Sequence, residues 1–492
     1  IIHFKIEVIF LKSIWENDCI IDKRETLESD INVSTLVIGA GMAGILTAYR
    51  LALLGEDVAV IDSNRIGGGQ TKNTTAKITS QHGVKYSTLE RQFGKRIATA
   101  YAKTNNRAIN DYEDLISSLG IECDFRRLPS YIYTMTDRQK IIDEYTSAKR
   151  CGLNPVLTEK LEIPVTPLAG LCFENQAEFS PLKFIAGISD YLTIYENTPA
   201  LSVDRHNTVT TAKGKINANN IVFACHYPFL NFPGLSFARI HQVRSYVIAL
   251  ENTPKLNGVY KCIDNGGISL RSYDKYCLFG GEAHRTGENH RGCYDRLFDK
   301  ARELYPECKQ VMKWSAQDCK TADGIPYIGK FPFTNRNLYM ATGFDKWGMT
   351  TSMVAARILS HLIKDGKANC SEIYSPSRFH IHSIPTIINE SGTAIKNLCM
   401  EKFYYPNASI ANLHIGDGGI VSYKGEKLGV YRKSENEIYF VSTKCPHLGC
   451  QLTWNSDELS WDCPCHGSRF DYEGNVICGP AQQNIAVKID LD

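Results

Sequence analysis

The chain has 492 residues, with 55 Lys and Arg against 53 Asp and Glu, which gives a formal net charge of +2. This length predicts two or three domains, and the balanced charge, without a basic block, argues against nucleic acid as a partner. No apolar run approaches the roughly 20 residues of a membrane span. The N-terminal residues mix charged and apolar side chains and lack the regions of a secretory signal, so we expect a cytoplasmic protein.

The N-terminal third contains a dinucleotide fingerprint. A β-branched run at Val33–Ile38 precedes Gly39-Ala-Gly41-Met-Ala-Gly44, a helix-like stretch follows to Leu54, and a second strand at Val58–Ile61 ends on Asp62. In a βαβ unit these glycines provide the turn, the close approach of a pyrophosphate and the helix–strand packing, while the acid accepts from ribose hydroxyls. The motif alone is compatible with either NAD or FAD.

A glycine- and hydroxyl-rich loop from Arg65 to Thr79 follows the acid and resembles the FAD-binding loop of the D-amino-acid oxidase superfamily, which includes glycine and sarcosine oxidases. The strand-like segment from Asn219, the Asp323-Gly-Ile-Pro326 stretch and the turn from Gly343 to Thr350 also resemble family elements, in the expected order. The last turn leads into a predicted helix from about Thr351 to Lys364. The resemblance implies FAD, held by Gly39, Gly41, Met42, Ala43, Gly44, Asp62, Ser63, Gly68, Gly69, Thr71, Thr74, Thr75, Gly343, Phe344, Gly348, Met349 and Thr350.

Twelve cysteines are scattered between Cys19 and Cys399, and five crowd between Cys445 and Cys478. Within the crowded region, Cys445 with His447 and Cys463 with His466 give each of two loops one thiolate and one imidazole, which is the ligand set of a Rieske [2Fe–2S] cluster. Tetrahedral zinc is the alternative, but zinc motifs usually pair cysteine with cysteine in one knuckle.

One further cysteine lies in each loop, at Cys450 and Cys465, and these two resemble the loop-bridging disulfide of Rieske proteins from cytochrome complexes. Two reduced thiols are the alternative. Ser468 retains one hydrogen-bond donor to the cluster sulfurs, whereas Phe470 stands where those proteins place a tyrosine, and the next tyrosine is Tyr472. We therefore expect a potential below the upper end of the Rieske range of roughly −150 to +300 mV.

The predicted fold is an α/β FAD-binding Rossmann-like domain interleaved with an antiparallel substrate sheet, followed by an all-β Rieske domain. We predict an N-terminal extension at 1–30, the oxidoreductase at 31–385, a linker at 386–404 and the Rieske domain at 405–492. Residues 1–12 are assigned no function. The whole chain resembles bacterial proteins that fuse these two domains.

The superfamily resemblance implies oxidation of a small amine or amino acid by hydride transfer to FAD, with the cluster passing electrons singly to an unidentified acceptor. Asp318 stands where amino-acid oxidising relatives often have an arginine, so a cationic amine is as plausible as an amino acid. The candidate pocket residues are His226, Arg244, Tyr246, Arg271, Asp318 and Lys320. Two other functions remain open: an O2-using oxidase with a regulatory Rieske module, and an electron-transfer or redox-sensing protein without a dedicated small substrate.

Overall fold

A computed structural model describes residues 11–230, 233–288, 290–380 and 410–489, together with 384–386, 388–389, 392 and 396–397. Most of the predicted linker at 386–404 and the first ten residues lie outside this part. The helices are Ile14–Asp18 (α1), Met42–Leu53 (α2), Lys85–Phe93 (α3), Lys95–Leu119 (α4), Arg138–Arg150 (α5), Pro181–Ser189 (α6), Ser236–Arg239 (α7), Cys293–Leu304 (α8), Gly348–Asp365 (α9) and Ser371–Tyr374 (α10).

The strands of the first two thirds of the chain are Ile31–Ile38 (β1), Val58–Ile61 (β2), Lys77–Ile78 (β3), Arg126–Thr134 (β4), Pro155–Thr158 (β5), Ala169–Glu178 (β6), Thr193–Tyr195 (β7), Ser202–Val203 (β8), Thr208–Thr210 (β9), Lys215–Phe223 (β10), Ile240–Glu251 (β11), Val259–Cys262 (β12), Ser269–Tyr273 (β13), Tyr276–Arg285 (β14), Lys309–Thr321 (β15), Tyr327–Lys330 (β16) and Leu338–Thr342 (β17). The C-terminal strands are Gly418–Tyr423 (β18), Glu426–Arg432 (β19), Ile438–Ser442 (β20), Thr453–Asn455 (β21), Ser460–Asp462 (β22), Arg469–Asp471 (β23) and Val476–Cys478 (β24).

The first sheet carries the dinucleotide fingerprint. Its order is β16-β17-β10-β1-β2-β7, with β8 and β9 at the side of β10. Strand β1 runs parallel to β10 and β2, and β10 runs parallel to β17. The carboxyl ends of these four strands therefore share one edge, where open α/β sheets bind ligands. Helices α2 and α9 pack against each other, and apolar residues of both are buried.

The second sheet has the order β15-β11-β14-β13-β12-β4-β6-β3, with β5 paired to β6. Its pairs are antiparallel except for β12 with β4. Its strands come from both sides of β7–β10 in the sequence, so the predicted interleaving of the two subdomains is confirmed. The predicted helix after the last flavin turn also exists, and begins three residues earlier, at Gly348.

The C-terminal region consists of two small antiparallel sheets, β18-β19-β20 and β21-β22-β23-β24. Aromatic side chains and the cysteines of the two histidine-containing loops share one buried cluster. The predicted all-β fold of this region is therefore confirmed.

The described part of the predicted N-terminal extension packs on the flavoprotein fold, because Ile14 and Trp15 of α1 are buried. None of the described helices combines the length and apolar sequence that a bilayer crossing demands.

Candidate functional site

Two glycines of the fingerprint allow backbone segments to approach closely. Gly39 has φ +113°, and a Cβ there would lie 2.6 Å from the carbonyl oxygen of Ala224 at the end of β10. A Cβ on Gly44 would lie 1.8 Å from the carbonyl oxygen of Gly39. These are the turn and the helix–strand contact that the fingerprint requires.

The acid at the end of β2 is fixed by backbone donors. Asp62 accepts from the N–H of Ala40 at 2.7 Å and from the N–H of Asn64 at 2.8 Å. Burial raises the pKa of its carboxyl group. A carboxylate has about four acceptor sites, so Asp62 retains capacity for ribose hydroxyls.

The loop after this acid, residues 66–76, is here called the flavin loop. Thr71 ties it to the start of α2, because its hydroxyl accepts from the N–H of Met42 at 3.0 Å. An added Cβ on Gly69 would meet no atom within 4 Å, so the loop borders open space. The predicted residues Gly68, Thr74 and Thr75 also lie in this loop, while Ser63 is exposed just before it.

Four consecutive carbonyls at the end of the flavin loop each accept from a side chain. Indole N–H groups of Trp314 and Trp15 donate to Asn73 at 3.0 Å and Thr74 at 2.7 Å. Arg271 Nη1 donates at 2.8 Å to the carbonyls of both Thr75 and Ala76.

Arg271 also forms a buried ion pair with Glu178 at 3.0 Å. Its Nη1 and Nε thus brace the flavin loop and Glu178, while its buried Nη2 has no hydrogen-bond partner in the described structure. The assignment of Arg271 to the substrate pocket stays a prediction.

The turn between β17 and α9 is anchored from three sides. A Cβ on Gly343 would lie 2.2 Å from Thr321 Cγ2. Thr350 accepts from the N–H of Thr79 and donates to its carbonyl, both at 2.9 Å. Tyr112 donates to the carbonyl of Met349 at 2.7 Å. The N-terminal residue of α9, Gly348, borders open space, since an added Cβ would meet no atom within 4 Å.

A charged cleft lies beside this turn. Lysines from five segments surround two aspartates; they are Lys77, Lys85, Lys261, Lys320 and Lys346, with Asp318 and Asp345. Each of these lysine and aspartate side chains is only partly exposed. Desolvation is nevertheless the largest single influence on the pKa of five of them, including Lys77 and Lys261. These side chains therefore line an internal cleft and not the outer surface.

The charges of this cleft are unevenly paired. Asp318 lies 3.3 Å from Lys346, and Lys320 lies 3.6 Å from Asp345. In the described part of the chain, Lys77 and Lys261 have no ion pair, and burial lowers their pKa to about 7 and about 8. The cleft thus has an excess of cations, and Asp318 is already neutralised by a neighbour. The expectation that Asp318 favours a cationic substrate is not supported by this geometry.

Strands β11 and β15 form a wall between this cleft and the C-terminal domain. Side chains alternate between the two faces of a strand. Ser245 and Asp318 face the cleft, where Ser245 hydrogen-bonds to both Asp318 and Lys346. Their sequence neighbours Arg244 and Gln317 face the other way, and Arg244 donates to Gln317 at 2.5 Å.

Arg244 and Tyr246, which were predicted as pocket residues, therefore do not line this cleft. Arg244, 1% exposed, pairs with Glu458 at 3.5 Å and Asp462 at 3.8 Å. Asn455 donates to the Tyr246 hydroxyl at 3.3 Å. Both residues thus contact the C-terminal domain. The sequence of β11 does not show which face contains the cleft, because polar residues lie on both faces: Gln242 and Arg244 on one, His241 and Ser245 on the other.

The two loops that carry the predicted cluster ligands lie together. The first cluster loop is residues 445–450 and the second is residues 463–468. The rings of His447 and His466 are 5.0 Å apart, and the Cys463 thiol donates to Cys445, which lowers the Cys445 pKa to about 7. A disulfide joins Cys450 to Cys465, so the predicted bridge is present.

His466 has the orientation of a metal ligand. Its Nε2 is 3.2 Å from the carbonyl oxygen of Phe237, and its buried Nδ1 has no hydrogen-bond partner in the described structure. Metal-ligating histidines donate one ring N–H to such an acceptor and bind through the other nitrogen. The donor set of two thiols and two imidazoles therefore fits a [2Fe–2S] cluster.

The hydrogen bonds around these loops agree with the sequence expectation. Ser468 bonds to the Cys445 sulfur and accepts from the N–H of Ala481 at 3.0 Å. Phe470 is buried, and the ring of Tyr472 packs on that of Tyr431 at 5.1 Å.

His226 follows β10 in the left-handed region, with φ +67°. Its carbonyl accepts from Thr342 at 2.5 Å, and its side chain hydrogen-bonds to Gln242. Burial lowers its pKa to about 4. His226 thus links the flavin-side sheet edge to the wall.

Five residues of the site were not predicted from the sequence. They are Lys77, Lys261 and Lys346 in the cleft, and Gln242 and Gln317 at the domain boundary. Lys77 and Lys346 lie within the segments that resemble flavin elements, which was an available signal. The other three lie on strands with no motif.

These features define a flavoprotein oxidoreductase fused to a Rieske domain, and the chain binds FAD and a [2Fe–2S] cluster. The FAD dependent oxidoreductase family (DAO) matches residues 34–362, and the Rieske [2Fe-2S] domain matches residues 404–488. The chain belongs to this FAD-dependent oxidoreductase family.

The putative Rieske 2Fe-2S iron-sulfur protein YhfW of Bacillus subtilis is 34% identical over 97% of both chains. Gamma-glutamylputrescine oxidoreductase of Escherichia coli is 22% identical, over 69% of this chain and 85% of its own. The fold of glycine oxidase from Geobacillus kaustophilus superimposes with a TM-score of 0.60 at 17% identity, covering 71% of this chain and 99% of that one.

Proposed function

We propose that this chain is a dehydrogenase for an amine or amino acid that carries an acidic group. The observation that carries the proposal is the placement of the cationic cleft and the cluster loops on opposite faces of β11 and β15. When bound, FAD accepts a hydride and the [2Fe–2S] cluster carries single electrons. Oxidation of one substrate molecule releases two electrons, which leave in two single transfers to an external one-electron acceptor. The imine product hydrolyses to a carbonyl compound and ammonia or an amine.

In this proposal Asp62 and the N-terminus of α2 bind the ribose and pyrophosphate of FAD, together with the flavin loop and the turn at 343–350. The cluster ligands are Cys445, His447, Cys463 and His466. The domains extend over 31–385 and 405–492, with α1 as part of the flavoprotein core.

The acidic group of the substrate is proposed to bind Lys77 and Lys261. A buried ammonium without an ion pair is costly, and an anion near it offsets that cost. The pairs Asp318–Lys346 and Lys320–Asp345 already neutralise one another. The similarity to an enzyme named for gamma-glutamylputrescine supports an amine-type donor.

The test is an anaerobic screen in which amino acids are compared with amines of the same carbon skeleton that lack the acid. We expect loss of flavin absorbance followed by a change in cluster absorbance, with the acidic compounds more effective. If only the amines without an acid reduce the flavin, the proposal for the acidic group is wrong. Stoichiometric peroxide release in air that is unchanged by His466→Ala would instead identify an oxidase with a regulatory Rieske domain.

A further inference from the structure

The two cluster loops differ in what they face. In the first, Pro446 and Leu448 are exposed, as is the adjacent Lys444. In the second, every residue from Cys463 to Ser468 is buried, and His466 is 2% exposed. The second cluster loop is therefore covered by protein, while the first borders solvent.

The cover of the second cluster loop comes from the flavoprotein domain. Gln242 Nε2 donates to the carbonyl of His466 at 2.5 Å, and Gln317 Nε2 donates to the carbonyl of Gly467 at 2.7 Å. The amide of Gln317 also donates to that of Gln242. The histidine ring itself meets the carbonyl of Phe237. Two side chains of the wall thus hold the backbone at and beside one proposed ligand.

The contact is close enough to require glycine on both sides. Gly467 has φ +78°, and a Cβ there would lie 2.8 Å from Gln242 Cβ. A Cβ on Gly287 of the flavoprotein domain would lie 2.4 Å from Pro464 Cα. Arg285 adds a hydrogen bond to the Pro464 carbonyl at 3.1 Å.

We infer that Gln242 and Gln317 are positioning residues that keep the second cluster loop fixed on the wall during turnover. Electrons then enter the cluster from its His466 side, across the single sheet layer that separates the loop from the cleft. This inference rests on the proposed function. Each transfer reduces the oxidised cluster by one electron, and the external one-electron acceptor reoxidises it before the second transfer.

The test uses Gln317→Glu in the full chain loaded with FAD and cluster. This substitution keeps the side-chain length and the oxygen that accepts from Arg244, but removes the N–H donor to Gly467. Gln242→Leu is the second variant. Gln482→Leu is the matched control, because Gln482 also donates a side-chain amide N–H across the domain boundary, to the Ala200 carbonyl at 2.7 Å.

Two quantities are measured. The first is the rate of cluster reduction after a laser flash reduces the flavin in the presence of EDTA, which needs no substrate. The second is amide hydrogen exchange in residues 463–468. We expect the rate to fall by roughly tenfold or more, as for misplaced reacting groups, and exchange to rise, in Gln317→Glu and Gln242→Leu but not in Gln482→Leu.

An unchanged transfer rate in both variants, with exchange increased, overturns the inference, because the loop is then loosened without effect on the electron path. Unchanged exchange in both overturns the positioning role. If the unsubstituted protein shows no transfer from flavin to cluster, the proposed function itself fails.

Discussion

Arg244→Met is expected to weaken the attachment of the Rieske domain to the flavoprotein domain strongly. Arg244 contacts Ser315 and Gln317 at 2.5 Å and forms ion pairs with Glu458 and Asp462, all buried. Removing one partner from a buried ion pair costs about 3–5 kcal/mol.

Arg469 remains 3.2 Å from Glu458 and 3.0 Å from Asp462, so both acids keep one cation in the variant. The expected cost is therefore at the lower end, about 3 kcal/mol. The matched control is Arg291→Met, which removes an ion pair with Asp417 across the same boundary. Arg291 is 58% exposed there, and exposed pairs contribute only about 0.2–1 kcal/mol.

The assay is urea unfolding, followed with two probes. Visible circular dichroism of the cluster reports on the Rieske domain, and flavin fluorescence reports on the flavoprotein domain. In Arg244→Met the cluster signal is expected to be lost at a clearly lower urea concentration, while the flavin transition moves less. Equal shifts of the cluster transition in Arg244→Met and Arg291→Met would refute the reasoning.

Three further predictions concern the two cofactor sites. Acetate is expected to bind in the cleft and perturb the flavin spectrum, with an affinity that falls roughly tenfold or more from pH 7 to pH 9. The reason is that Lys77 and Lys261, with pKa about 7 and about 8, lose the protons that attract an anion. Equal pH dependence for neutral acetamide would contradict this. Gly44→Ala is expected to abolish FAD retention but not cluster content, since its Cβ would lie 1.8 Å from a backbone oxygen. Gly55→Ala strains the backbone at φ +77° but its Cβ would meet no atom within 4 Å, so this control is expected to retain FAD. Ser468→Ala is expected to lower the cluster midpoint potential by about 40 mV, the equivalent of one hydrogen bond of about 1 kcal/mol, and Phe470→Tyr to raise it; a rise in the first variant would contradict the account.

Both cofactor sites could be predicted from local motifs, because the residues that each site needs lie close together in the sequence. The glycine fingerprint fixes a strand, a turn and a helix within a few residues, and each cluster loop supplies its own cysteine and histidine. The disulfide followed from resemblance, and the structure contains it.

Local motifs did not predict which side chains of β11 and β15 face the cleft and which face the Rieske domain. Arg244 meets Glu458, which is 214 residues away in the sequence. Polar residues lie on both faces of β11, so the alternation of its sequence does not reveal which face contains the cleft. Asp318 forms an ion pair with Lys346, which lies in a turn distant in the sequence. The sequence shows that Asp318 is acidic, but not that Lys346 neutralises it.

In the proposed reaction, electrons pass from the flavin to the cluster within one chain. The most direct measurement is anaerobic flash reduction of the flavin, followed by cluster absorbance, at several protein concentrations. We expect cluster reduction with a first-order rate that does not depend on protein concentration. A rate proportional to protein concentration, or an oxidised cluster beside a stably reduced flavin, would contradict it.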